Sequence, residues 1–233
     1  MNRTRVFAGG LVLAVAALVG LVPVYGQEPY LTVSKAVTGI SADGIPGYEI
    51  LLPGDIAAFL ANVPNSRVIV FEVTFTVAAT GGPISAVVVT DNFGSDLTVA
   101  CGAASLGSCA VTDGRRVAWD VGPLSASATL VVTATTNLDP GGSQRYTSCG
   151  THYLNSGPTA KGTIQVPIGG GRTKDKQVSA GGPPIQLWVS GLLDVAFPAC
   201  RNCIDDDGDS LIDYPADPGC TAPDDPDETD PLP

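Results

Sequence analysis

The chain has 233 residues, 44% of them hydrophobic, with 23 acidic residues against 12 basic ones and a net charge of −11. That length allows one or two domains, and that charge argues against nucleic acid and anionic lipid as partners. A single histidine and a single methionine leave few residues for histidine-dependent catalysis or for a methionine-rich binding face.

Residues 1–26 carry Arg3 and Arg5, then the uncharged apolar run VFAGGLVLAVAALVGLV, then Pro23, Val24 and Gly26 ahead of Gln27. This is the layout of a secretory signal peptide, although the run comes close to the ~20 residues of a membrane anchor. Cleavage before Gln27 is the expectation, with membrane attachment only through an uncleaved segment. All six cysteines follow it, where export lets disulfides persist. The expected location is secreted or cell-surface.

Residues 27–198 read as strands and turns. The first strand is YLTVSKAVTG, followed by a long insertion over 41–66 in which GDIAAFLANV (54–63) is the one short helix candidate. In RVIVFEVTFTV, Phe71, Val73, Phe75 and Val77 point one way and Glu72, Thr74 and Thr76 the other, the period of a half-buried strand. TGGP (80–83) turns the chain into ISAVVVTDNF (84–93). LTVAC, SCAVTDGRRVAWDVG and ASATLVVTATTNLD continue the series, with Val117, Trp119 and Val121 on one face, as are Leu130, Val132 and Ala134. Asp113-Gly114 and DPGG (139–142) supply turn chemistry. Two further strand-like runs follow Gly157, joined by GGGRTKDK (169–176), which reads as a hairpin tip; it lacks the spacing and helix of a phosphate loop. Several short strands at intervals of roughly 8–12 residues predict an all-β, immunoglobulin-like β-sandwich.

Residues 199–220 form a short irregular acidic segment, CRNCIDDDGDSLIDYPADPGC from Cys200 onward. Eleven of the 23 acidic residues lie beyond Pro198. Asp205, Asp207 and Asp209 alternate, and Leu211 and Asp213 follow at the same step. Ca²⁺ takes six to eight hard oxygen ligands, and alternate carboxylates plus the Leu211 carbonyl can converge on one ion. Ile212 is expected to pin the loop to an apolar surface. An EF-hand match fails at Ser210, where glycine is needed, and at Ala216, where glutamate is needed. TAPDDPDETDPLP (221–233) lacks apolar periodicity and reads as a solvated, disordered tail.

Cys101 and Cys109 flank a Gly/Ser-rich loop and pair most simply with each other. Cys149, Cys200, Cys203 and Cys220 then allow three connectivities, of which Cys200–Cys220 with Cys149–Cys203 is the expectation. A zinc site at Cys200 and Cys203 lacks a second pair. His152, near Cys149 and Ser156, has no nucleophile-elbow context and reads as solvated or hydrogen-bonded. Lys35 and Asn155 are candidates for an isopeptide cross-link, with Glu72 or Asp91 as proton shuttle.

Over about residues 68–160, VTFTVAATGGPISAVVVTD together with WDVGPLSASATLVVTATT resembles the bacterial surface-repeat domain known as domain of unknown function number eleven. The chain departs from it at AATGG, where that family has asparagine. The acidic loop is similar to thrombospondin type 3 and dockerin-like calcium loops, and to cysteine-fenced acidic tails of exported bacterial proteins. In those tails glycine replaces Cys203. These resemblances imply a non-catalytic exported envelope or extracellular module, adhesive or structural, with structural calcium. Its partners would be extracellular protein or glycan surfaces, or copies of itself, with a filament subunit built by donation of QEPYLTVSKAV as the other reading. A two-carboxylate hydrolase is the enzymatic reading, for which no acid pair is marked by its surroundings.

Overall fold

A computed structural model describes residues 28–42, 60, 63, 66–189, 198–201, 205–222 and 225–230. The expected signal peptide and nearly all of the helix candidate at 54–63 lie outside them. Among the described residues the regular structure is almost all strand. β1 (Tyr30–Ala42), β2 (Ile69–Thr80), β7 (Ser127–Thr136) and β4 (Leu97–Ala104) form one antiparallel sheet in the order β1-β2-β7-β4. β10 (Arg172–Gly181), β9 (Thr159–Gly169), β3 (Ile84–Asn92), β6 (Arg116–Leu124) and β5 (Ser108–Thr112) form the second, in that order. After Gly157, β9 pairs with β3 and brings β10 into the second sheet, and β10 begins at Arg172, inside the stretch read as a hairpin tip. β8 (Gly150–Tyr153) and β11 (Gln186–Val189) make a separate two-stranded ribbon. The architecture is an immunoglobulin-like β-sandwich with a short, irregular, disulfide-bridged acidic segment at its C-terminal side.

The period of two in the sequence builds the core. Phe71, Val73, Phe75 and Val77 of β2 are fully buried and face Val117, Trp119 and Val121 of β6 across the sandwich, in one cluster with Leu130, Val132 and Ala134 of β7. Each buried Val, Leu or Phe among them contributes about 1.5–3 kcal/mol by leaving water. Trp119 also donates its indole N–H to the Leu106 carbonyl at 2.8 Å, which satisfies its one polar atom. The turns carry the backbone their residues favour: Asp113 (φ 52°) and Gly114 (φ 67°) close β5 onto β6 in the left-handed region. At the tip of the β9–β10 hairpin, Gly169, Gly170 and Gly171 all have positive φ.

β1 pairs with β2 along its whole length, from Tyr30 opposite Thr80 to Ala42 opposite Ile69. The segment that the alternative, filament reading would donate thus pairs in its strand part within its own chain. On the far side of the sandwich, a disulfide joins Cys101 of β4 to Cys109 of β5, stapling an edge strand of each sheet. Such disulfides form and persist mostly in oxidising surroundings. Among the described residues no helix is long and apolar enough to cross a membrane.

The staple closes a short loop, so the loss of unfolded-state entropy it imposes is worth about 2–3 kcal/mol. Replacing both cysteines by serine is expected to lower the melting temperature by roughly 5–10 °C in a domain of this size. Thermal unfolding of the double variant beside the parent checks this.

Candidate metal-binding loop

The acidic segment is wound by its own aspartates. Asp205 accepts backbone N–H bonds from Gly208 (2.7 Å) and Ser210 (3.0 Å), Asp207 from Asp209 (3.2 Å), and Asp209 from Leu211 (2.7 Å). Each short side chain caps the backbone two to five residues on, which is what Asp does where no helix or sheet competes. Ser210 sits at φ 77°, so the sharp turn that an EF-hand makes at glycine occurs here at serine. The curl brings carboxylate oxygens of Asp205, Asp207 and Asp209 within 4.8 Å of one another, close enough to hold a metal ion. Their mutual repulsion is the electrostatic cost that a cation would remove.

Asp213, also predicted as a ligand, makes contacts of its own. It is 6% exposed and outside that cluster. Its backbone N–H donates to Glu228 at 2.9 Å, and its Oδ2 lies 2.7 Å from Cys149 Sγ. Cys149 is disulfide-bonded, so its sulfur has no proton to donate and the contact is one of packing. Leu211 and Ile212 are both exposed, so Ile212 does not pin the loop to an apolar surface as its sequence position suggests. Short-range carboxylate caps hold this stretch instead of hydrophobic burial. Cys200 and Cys220 pair and fence the loop as expected. Cys203 lies outside the described residues, and with it the expected Cys149–Cys203 bond.

Glu228 is a residue that sequence reasoning missed. Read as part of a solvated tail, it is 1% exposed, and its two carboxylate oxygens accept the backbone N–H of Asp206 (2.7 Å) and of Asp213 (2.9 Å). Residues 225–230 thus return to the loop and tie its two ends together. A second acidic group, Asp217 and Glu228 beside Cys220, is buried, and Asp217 Oδ2 has no hydrogen-bond partner. Because the Cys220 sulfur is committed to Cys200, this group offers carboxylate oxygens and no thiolate. The sequence signal available for Glu228 was slight: a glutamate among prolines and aspartates, with no periodicity to mark it.

Cys149 is oxidised, and His152 Nε2 is 2.7 Å from the Ser148 carbonyl with its ring packed edge-on to Tyr146. Lys35 and Asp91, by contrast, meet in the sandwich interior. Lys35 Nζ is 2.5 Å from Asp91 Oδ2, and both side chains are fully buried. Burial lowers the Lys35 ammonium to about 8, against the opposing pull of Asp91. Burial likewise raises Asp91, against the bonds it receives from Lys35 and the backbone. Glu72 lies on the outer face of β2, bonded to Thr38, and cannot serve this pair.

No protein-family model matches the sequence, and no curated protein matches it. Among solved structures, an inactive mutant of a GH20 exo-β-N-acetylglucosaminidase from Vibrio harveyi is similar over 73% of this chain and 20% of that one, at 13% identity and a TM-score of 0.31. The chain spans about a fifth of that structure's length, and a likeness of this size carries no argument about activity.

Proposed function

We propose that the chain is a non-catalytic, exported envelope or extracellular module, structural or adhesive, whose C-terminal segment is ordered by a structural calcium ion. The observation that carries this reading is the convergence of the Asp205, Asp207 and Asp209 carboxylates in a loop fenced by Cys200–Cys220. Hard oxygen donors without imidazole or thiolate select a hard cation, and the alternating spacing suits the larger, more flexible shell of Ca²⁺ over Mg²⁺. Bridged cysteines suit an exported setting, and the strongly acidic surface suits partners such as extracellular protein or glycan surfaces. In this role the sandwich is the rigid part and the ion couples loop ordering to binding.

Calcium titration of the full chain, followed by calorimetry and limited proteolysis, tests the reading. At a free concentration about 100 times Kd, the ion is expected to stabilise the segment by about 2.7 kcal/mol. A chelator should then expose residues 199–230 to protease, and Asp205→Asn/Asp207→Asn/Asp209→Asn should abolish the heat of binding. Equal proteolysis with calcium and with chelator would refute the calcium site.

A further inference from the structure

Lys35 occupies a core position. Along β1 the inward residues are Leu31, Val33, Lys35 and Val37, and Lys35 stands opposite the buried Phe75. A lysine is almost never fully buried unless its charge is met or removed. Asp91 meets it from the other sheet, at the end of the inward series Val87, Val89, Asp91 of β3. A third polar side chain faces the same interior. Residues 155–157 run antiparallel beside the end of β3: Asn155 bridges Phe93, the Ser156 N–H donates to the Asn92 carbonyl at 3.0 Å, and the Gly157 N–H donates to Asp91.

Directly paired residues share a face, so Asn155 lies on the buried face with Phe93. It is the diagonal neighbour of Asp91, at a spacing that long side chains span. Asn155 is 6% exposed, its Oδ1 accepts the Ile185 N–H at 2.8 Å, and its Nδ2 is buried with no hydrogen-bond partner. A buried amide donor left without a partner costs about 1–3 kcal/mol.

We infer that Lys35 and Asn155 form an isopeptide cross-link between the two sides of the sandwich, with Asp91 carrying the protons. Lys35 Nζ, as the free amine, attacks Asn155 Cγ. The negative charge that develops on Oδ1 is met by the Ile185 N–H already bonded there. Asp91 takes a proton from Nζ and delivers one to Nδ2, the Cγ–Nδ2 bond breaks, and ammonia leaves. One C–N bond forms and one breaks, no electron acceptor is needed, and Asp91 ends in the protonation state in which it began. Burial lowers Lys35 toward the free amine and raises Asp91 toward the acid, both in the direction the proton transfers need. The product also removes both liabilities, a buried ammonium and an unpartnered amide donor.

The intact mass of the full chain, reduced and denatured so that disulfides add nothing, decides the matter. The expected mass is short by one ammonia, with a protease-resistant link joining the peptides of Lys35 and Asn155. Asp91→Asn should restore the full mass while the far-ultraviolet circular dichroism stays that of a β-protein. A full-mass parent chain overturns the inference, as does the loss of water with Lys35 joined to Asp91. So does an Asp91→Asn variant that cross-links as fast as the parent. Should that variant fail to fold, the parent chain's mass and linked peptide still decide.

Discussion

Trp119→Ala is expected to destabilise the sandwich by about 3–5 kcal/mol, the range for removing a fully buried aromatic side chain. Trp119 is fully enclosed by both sheets, and its indole N–H bonds the Leu106 carbonyl, so the variant loses packing and leaves an acceptor exposed to a cavity. Against a total stability of about 5–15 kcal/mol, that is a large share. In a domain of this size the melting temperature should fall by roughly 10–20 °C. The other tryptophan is the control: Trp188 is 63% exposed, and Trp188→Ala should change stability by less than about 0.5 kcal/mol. Chemical denaturation of both variants checks the pair, and equal effects would contradict the placement of Trp119.

Gly219→Ala is expected to detach the C-terminal turn while leaving the sandwich intact. A Cβ built on Gly219 collides with the backbone carbonyl of Glu228, and no side-chain rotation relieves a clash with backbone. Glu228 would have to withdraw, which frees the Asp206 and Asp213 N–H groups it now accepts. Each lost charged hydrogen bond is worth about 1.5–3 kcal/mol locally. Limited proteolysis read by mass should show cutting within residues 199–230 and an unchanged melting transition for the sandwich. Resistance equal to that of the parent would show that residues 225–230 are held by something other than Glu228.

Much of the fold was legible because burial imposes a period of two on strands, and β2, β6 and β7 obey it strictly. Asp113-Gly114 and the triple glycine at 169–171 were readable for the same kind of reason, since few residues accept positive φ. The order of strands was not legible, because nothing local says that β9 pairs with β3 across some seventy residues. At the acidic loop, the clustering of Asp205, Asp207 and Asp209 followed from spacing, whereas the destination of Asp213 did not. Its neighbour Cys149 and its backbone partner Glu228 are both distant in sequence or unmarked by pattern. Lys35 carried a signal of its own: LTVSKAV alternates, and the lysine falls on the apolar phase.

The Cys101–Cys109 bond has one more consequence, for how the native protein breathes. It ties β4 to β5, so the two sheets are bound along that margin as the pages of a book are bound at the spine. Partial opening that keeps this bond must swing the sheets apart at the opposite margin, where β1 packs against β9 and β10. The Lys35–Asn155 link inferred above would hold that margin closed as well, so early exposure of the β1 amide protons is expected only in a chain that lacks the link.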